Sequence, residues 1–397
     1  MNNVWQLMIE EWRSVWTNKT IRRIVFLVPV VYMTLFGFLY SESRVMEIPT
    51  VIADLDQTEL SREMIRSIDH DQTFAVTKVV QTEEEAQLLL DQGEVLTSFI
   101  IPQGLTVNAK AGKPTEVLNI IDGSNLLISN TSVRAASSLV KTISGGVTIK
   151  KLEAKGEWGD AGQNFATGID YRYRILHNPT FNYLSFMLLG LAGTVMQQVA
   201  FLSVSLSVTR QKETGSWNTS LTANRFFALA ISKISIHMLL AMFNFAICFV
   251  MMLKVFDIPY YGNLGLFVLV GIVFHLAVIS IGFAMSILAG SMLQATQWAM
   301  IVAVPSFMLS GWTWPIISMP DWVAALANCL PLTYFLHATR EILSKGHGWE
   351  YVTHDVKIML LMTLISLFAG YVAYFWQKNR AVVKKSSTSE IETVNIL

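Results

Sequence analysis

From Ile258 to Pro320 the chain carries no Asp, Glu, Lys or Arg. A helix rises 1.5 Å per residue, so about 20 largely apolar residues cross a hydrocarbon core. The charge-free run is too long for one crossing and suits two. The polar stretch Gly290–Gln297 divides it, which predicts spans near 264–288 and 298–314. The same search places four more spans at 24–41, 183–208, 226–253 and 358–376. Composition agrees: the chain is 52% hydrophobic and 15% charged, whereas a soluble domain has about a quarter charged residues. Residues 42–174 hold 32 of the 58 charged side chains. A polar domain is therefore inserted after the first span.

The insert alternates strand and helix patterns. Thr50–Leu55, Phe74–Val80, Thr97–Ile101 and Glu116–Ile121 read as strands. Leu60–Ile68 and Glu83–Leu90 read as helices, and Leu126–Leu152 as a helix broken at Gly145-Gly146. The expected fold is an all-α polytopic membrane domain of six transmembrane helices, with an extracytoplasmic α/β domain at 42–174. The segment Trp322–Thr339, apolar but interrupted by Asn328 and Pro331, predicts a re-entrant or interfacial hairpin within 315–345. Lysine and arginine set the orientation. Eleven lie on the connections that include both termini (1–23, 209–225 and the tail 378–397), and four (Lys254, Arg340, Lys345 and Lys357) on the opposite ones. Both termini are expected in the cytoplasm and the insert outside. Trp298, Trp312, Trp314, Trp349 and Trp376 near span ends suit an interfacial belt.

Several chemistries lack their residues. There is no Gly-x-x-x-x-Gly-Lys-[Ser/Thr], His-Glu-x-x-His or Gly-x-Ser-x-Gly. Two cysteines, Cys248 and Cys329, have no metal or redox spacing. A net charge of zero points to no nucleic acid. Asp54-x-Asp56 reads as a strand end leading into a helix cap rather than a carboxylate pair, and His70 as part of a solvated turn. No span carries a central Asp or Glu for a proton relay. Lys233, near the start of the third span, can snorkel. His237 and His275 read as packed histidines, and Gln197, Gln198 and Asn244 as interhelical glue or a polar lining. No cofactor or metal is expected, nor enzymatic activity in this chain, so any energy must come through a cytoplasmic contact. Two segments suit one: the amphipathic stretch Met1–Asn18, and the charged loop Thr209–Arg225.

The order anchor, external domain and five further spans resembles the type-2 ABC exporter permeases. Asn178-Pro179 before the second span is similar to their Asn-Pro element. Arg210-Gln-Lys212-Glu213-Thr-Gly215 resembles their coupling loop, with Ser216-Trp217-Asn218 replacing the usual Thr and acidic residue. Ser310-Gly311-Trp312-Thr-Trp-Pro315, Met319-Pro320-Asp-Trp322 and Pro331-Leu-Thr-Tyr334 resemble their external hairpin. Asp54-Leu-Asp56-Gln-Thr58 and Asp122-Gly-Ser124 are similar to motifs of the subgroup with a large external domain.

The resemblance implies a permease subunit in the bacterial cytoplasmic membrane, paired with a second permease subunit. Each would dock a separate cytoplasmic ATP-binding cassette ATPase. Arg210, Lys212, Glu213 and Gly215 would couple to the ATPase, and spans one, two and five would move around a central path. Ser310, Gly311, Trp312, Pro315 and Tyr334 would line the path or its external gate. The substrate would be an amphipathic or hydrophobic molecule such as a drug, antibiotic or lipid. The rival expectation is a non-transporting membrane sensor or assembly protein with an external ligand domain.

Overall fold

A computed structural model describes residues 4–111, 113–154, 175–217, 221 and 225–394, with the backbone alone at 151–154 and 381–394. Asn218 and the side chains of Lys384 and Lys385, all used above, lie outside the described residues. The chain divides into two compact units, residues 44–175 and a second unit of 1–43 with 176–397.

The smaller unit is α/β. Strands β1 (Ile48–Asp54), β2 (Phe74–Val80), β3 (Thr97–Ile101) and β4 (Leu118–Ile121) form one sheet in the order β2-β1-β3-β4. β1 is parallel to both neighbours, whereas β3 and β4 are antiparallel. A strand buried on both faces reads as a continuous apolar run, and β1 alternates accordingly. Ile52 packs with Met64, Phe74 and Phe99 on one face. Val51 and Ala53 pack with Val80, Ala86 and Leu89 on the other. Helix α4 (Glu59–Asp69) starts at a Thr58–Ser61 capping box, and α5 (Glu83–Asp91) at Thr82 with three glutamates in its first turn. Helix α6 (Leu105–Ala111) had no sequence signal. Helix α7 (Leu126–Ala154) runs unbroken through Gly145 and Gly146, where a break was expected. Both glycines face open space, so they lower helix propensity without meeting an obstacle that would bend it.

The larger unit is helical. Among the described residues, six helices in it are long and apolar enough to cross a membrane. The first is interrupted: α2 (Lys19–Phe26) and α3 (Val28–Leu39) meet at Leu27. Pro29 stands in the first turn of α3, where its missing N–H costs nothing. The other five are α8 (Tyr183–Glu213), α9 (Phe226–Lys254), α10 (Leu264–Leu288), α11 (Met292–Leu309) and the first 32 residues, Trp349–Arg380, of α14 (Trp349–Val394). The expected polar break at 290–297 shrinks to three residues, because the Ser291 side chain caps α11 by accepting from the Gln294 N–H. Two short helices, α12 (Asp321–Ala327) and α13 (Pro331–Thr339), separate the last two spans, and a π-helical turn, Arg340–Ser344, follows α13. At 7 and 9 residues neither short helix is long enough to span a bilayer.

Helix α8 is the axis of the bundle: 89% of its apolar stretch is buried, against 28% for the first, fifth and sixth spans. Lipid tails are as apolar as leucine, so helices associate in membranes through close packing of small residues. Gly190, Gly193, Ala200, Ser203 and Ser207 supply those residues along α8. Leu35, Phe38, Ile301, Val304, Leu364 and Phe368 remain exposed on the outer helices, as a lipid-facing surface requires.

Candidate functional site

The motif residues fall into three places in the helical unit. The first is the segment that ends α8. Lys212 Nζ donates to the Ile287 carbonyl and, at 2.6 Å, to that of Ala289, at the C-terminus of α10. The next residue, Glu213, accepts from the Met292 N–H at the N-terminus of α11 (3.0 Å). A cation thus meets the negative end of one helix dipole and an anion the positive end of the next. Arg210 donates to the Ser14 carbonyl and hydroxyl (3.1 and 3.2 Å) on α1 (Val4–Thr17). Gly215 is exposed and holds φ +78°, which ends the helix. Trp217 is buried, and its indole donates to Gln377 on α14 (3.0 Å). Segment 210–217 therefore touches the ends of α1, α10 and α11 and the body of α14 at Gln377.

The second place corrects the reading of Lys233. Instead of snorkelling, its side chain is 1% exposed. Its Nζ lies 2.7 Å from Glu11 Oε2 and 2.6 Å from the Ser207 hydroxyl. Ser207 also bonds Glu11 Oε1. His237 faces the same oxygen through Nε2 (3.2 Å) and Ser203 through Nδ1 (3.2 Å). Burial opposes ionisation of Glu11. The Lys233 ammonium and the His237 bond outweigh it and hold the carboxyl well below its usual range. This cluster was not foreseen, because its members lie some 200 residues apart. Its one sequence signal is Glu11 on the otherwise apolar face of α1, beside Leu7 and Val15. His275 Nδ1 faces the Gly271 carbonyl (2.7 Å) and Asn244 donates to Leu240 (3.1 Å), each within its own helix. Neither amide atom of Gln197 has a hydrogen-bond partner among the described residues. Gln197 and Asn244 thus make no interhelical hydrogen bond among the described residues, unlike the expected glue, whereas His275 is packed as expected.

The third place gathers all five proposed gate residues. Ser310, Gly311, Trp312, Pro315 and Tyr334 line one cavity of about 420 Å³, together with His337, Arg340 and Asp355. Gly311 is at φ +76°, and a Cβ there would meet Ile316 at 2.8 Å. Trp312 is buried rather than at an interfacial belt. It stacks on Phe186 with centroids 5.7 Å apart, and its indole donates to the Phe186 carbonyl (2.9 Å). Gly190 makes that approach possible, since a Cβ there would lie 2.6 Å from the indole. The Arg340 guanidinium also lies over the Trp312 ring, 4.5 Å from its centroid, and donates to the Trp312 carbonyl (3.2 Å). Trp312 and Arg340 also line a neighbouring cavity of about 300 Å³ that contains Asn178 and Pro179. Asn178 accepts from the Asn182 N–H (2.8 Å), and Asn182 caps α8 through Ser185 (2.9 Å), so the Asn-Pro element builds the start of the second span. Ser310 and Tyr334 spend their hydroxyl protons on the Phe307 and Asn328 carbonyls (2.6 and 2.9 Å).

The charged lining of this cavity was missed. His337 Nδ1 lies 2.8 Å from the buried Asp355 carboxylate. That bond raises the His337 pKa, against the opposing effect of burial. Outside that lining, on the π-helical turn, Glu341 is 2.5 Å from Lys345 and 2.6 Å from His347. Burial opposes its ionisation, but those two bonds outweigh it and lower its pKa.

In the smaller unit, Asp56 accepts from the Gly104 N–H (2.8 Å), the Thr106 N–H (3.1 Å) and the Thr106 and Thr58 hydroxyls (2.7 and 2.8 Å). Asp54 accepts from the Gln57 N–H (2.9 Å) and the Ser61 hydroxyl (2.8 Å). The paired carboxylates close a strand end and a cap, as expected. No group of three or more His, Cys, Asp or Glu that could hold a metal occurs among the described residues.

Five apolar helices around one buried span, interrupted by a polar α/β unit, define a polytopic membrane protein. The chain belongs to the ABC-2 family of transporter proteins: the family model described as "ABC-2 family transporter protein" matches residues 19–376. It is similar to the probable multidrug ABC transporter permease YbhR of Escherichia coli, at 22% identity over 94% of this chain and 98% of that protein. It is also similar to the inner membrane transport permease YhhJ of E. coli (25% identity, 89% and 91% covered). A third relative is the linearmycin resistance permease protein LnrN of Bacillus subtilis (22% identity, 88% and 93% covered).

Proposed function

We propose that the chain is the permease subunit of an ATP-driven exporter in a bacterial cytoplasmic membrane, with both termini inside and residues 42–174 outside. It moves an amphipathic or hydrophobic molecule outward, energised by a separate cytoplasmic ATPase, and works beside a second permease subunit. The observation that carries this reading is segment 210–217. It bonds to the ends of three helices and to the body of a fourth, and leaves Glu213–Ser216 exposed. A push on those exposed residues reaches α1, α10, α11 and α14 together. The family's names for its members support the direction and cargo. Lysine and arginine asymmetry supports the orientation.

At the outer end, the 420 Å³ cavity is the exit gate, and the hairpin α12–α13 is re-entrant or interfacial. Aromatic faces and Arg340 suit an amphipathic molecule, and the Trp312–Arg340 pair divides the two outer cavities. The test is Glu213→Lys in a transporter reconstituted with its ATPase. Export and permease-stimulated ATP hydrolysis should both fall about tenfold or more while assembly and membrane insertion persist, since a reversed charge at a contact costs over 1.4 kcal/mol. Full export by that variant would overturn the coupling role.

A further inference from the structure

We propose that Glu11 is the centre of a buried charge lock that seats the N-terminal helix in the bundle, with Lys233 as its counter-ion and His237 as a second partner. Four observations converge. Glu11, Lys233 and His237 are 4%, 1% and 0% exposed, so water solvates none of them. Both Glu11 oxygens are engaged, one by Lys233 at 2.7 Å and the other by His237 at 3.2 Å and by Ser207. Ser207 also receives Lys233 at 2.6 Å and Ser203 meets His237 at 3.2 Å, so the cluster joins three helices, α1, α8 and α9. One turn along α1, Ser14 holds Arg210. The lock therefore fixes the surface against which segment 210–217 begins. An amphipathic helix that lies on a bilayer needs no buried carboxylate. A carboxylate, a lysine and a histidine enclosed together describe a helix built into the protein.

The physics gives the lock a signature. Removing one member of a buried pair strands a charge, whereas removing both leaves an apolar gap. Glu11→Gln strands the buried Lys233 ammonium without a counter-charge, with the neutral Ser207 hydroxyl still beside it. Lys233→Met leaves Glu11 still held by the His237 imidazole at 3.2 Å and by Ser207. The two single variants should therefore differ, and the double variant should be milder than the worse single one.

Val15, 1% exposed on α1, reports seating when changed to cysteine in a background with Cys248→Ala and Cys329→Ser. N-ethylmaleimide labelling of the purified full chain in detergent makes the readout independent of transport and orientation. Glu11→Gln should speed labelling about tenfold or more, and Lys233→Met clearly less. Glu11→Gln/Lys233→Met should label more slowly than Glu11→Gln alone. Lys233→Met/His237→Phe, which leaves Glu11 without either partner, should label as fast as Glu11→Gln. That last pair keeps the test open if Glu11→Gln fails to fold. Unchanged labelling in Glu11→Gln, or a double variant equal to the sum of its singles, would overturn the lock. If labelling follows the order given but export by the complete transporter is unaffected, the lock stands and the coupling reading of segment 210–217 falls.

Discussion

Two carboxylates, Asp56 in the α/β unit and Glu11 in the helical unit, are both fully engaged, by opposite means. Asp56 takes four hydrogen bonds from neutral donors, all within 50 residues of chain. Glu11 is balanced by the Lys233 ammonium, 222 residues away, and held by the His237 imidazole, 226 residues away. The first arrangement is a turn that closes itself and keeps partial access to water. The second exists only when three helices have come together, and its charges have no solvent to fall back on. A carboxylate of the first kind tunes local geometry. One of the second kind makes the position of a whole helix conditional on a distant residue.

That contrast orders the expected effects. Glu11→Gln, which strands Lys233, should cost about 3–5 kcal/mol and appear as a large drop in the thermal midpoint of the detergent-solubilised protein. Asp56→Ala removes the acceptor of four bonds, two of them from backbone N–H groups, and should cost about 2–3 kcal/mol. Proteolysis of the α/β unit in the full chain would detect it. The loss should be pH-dependent. Burial opposes ionisation of Asp56, but the bonds from Thr106, Thr58 and Gly104 outweigh it and lower its pKa. Its contribution is therefore present above the ordinary carboxylate value and disappears as pH falls through the lowered one, so wild type and Asp56→Asn should converge in acid. A milder case is Gly311→Ala, at about 1–2 kcal/mol, because φ +76° disfavours any side chain and Ile316 stands 2.8 Å from the new Cβ.

The smallest expected change lies at His337. Its pKa is raised mainly by the bond to Asp355. Its contribution is thus complete below the ordinary histidine value and lost as pH rises through the raised one. Half of the His337 side chain is exposed, so screening limits the effect to a few tenths of a kcal/mol. Thermal midpoints of His337→Gln and wild type should differ slightly at mildly acidic pH and coincide in alkali. If they differ more in alkali, the His337–Asp355 pair is not an ion pair of the kind described.

Local features were legible in the sequence. Strands β2 and β3 begin and end where their alternation does, because both are set by neighbours in the chain and stopped by polar residues or Pro102. The six spans were legible because hydrocarbon thickness imposes a length on any crossing. The ends of the spans were less so. Helix α14 starts at Trp349, nine residues before the apolar stretch, because Asp355 finds His337 across the bundle. Helix α11 starts six residues early, because a serine cap overrides a polar composition. The five residues of the external motif do line one cavity, but the charges beside them sit on a π-helical turn and a span end that no local pattern marks. Lys233 was misread for the same reason: its partner lies on a helix more than 200 residues away.

Orientation is the claim on which the transport reading depends, and sided labelling tests it directly. In a background with Cys248→Ala and Cys329→Ser, cysteines at Thr214, exposed beside Gly215, and at Gln92 in the α/β unit are probed with an impermeant maleimide. The account predicts that in intact cells Gln92→Cys labels and Thr214→Cys does not, and that inside-out vesicles reverse the pattern. Labelling of Thr214→Cys from outside intact cells would place the proposed ATPase-facing segment on the wrong side of the membrane and contradict the account.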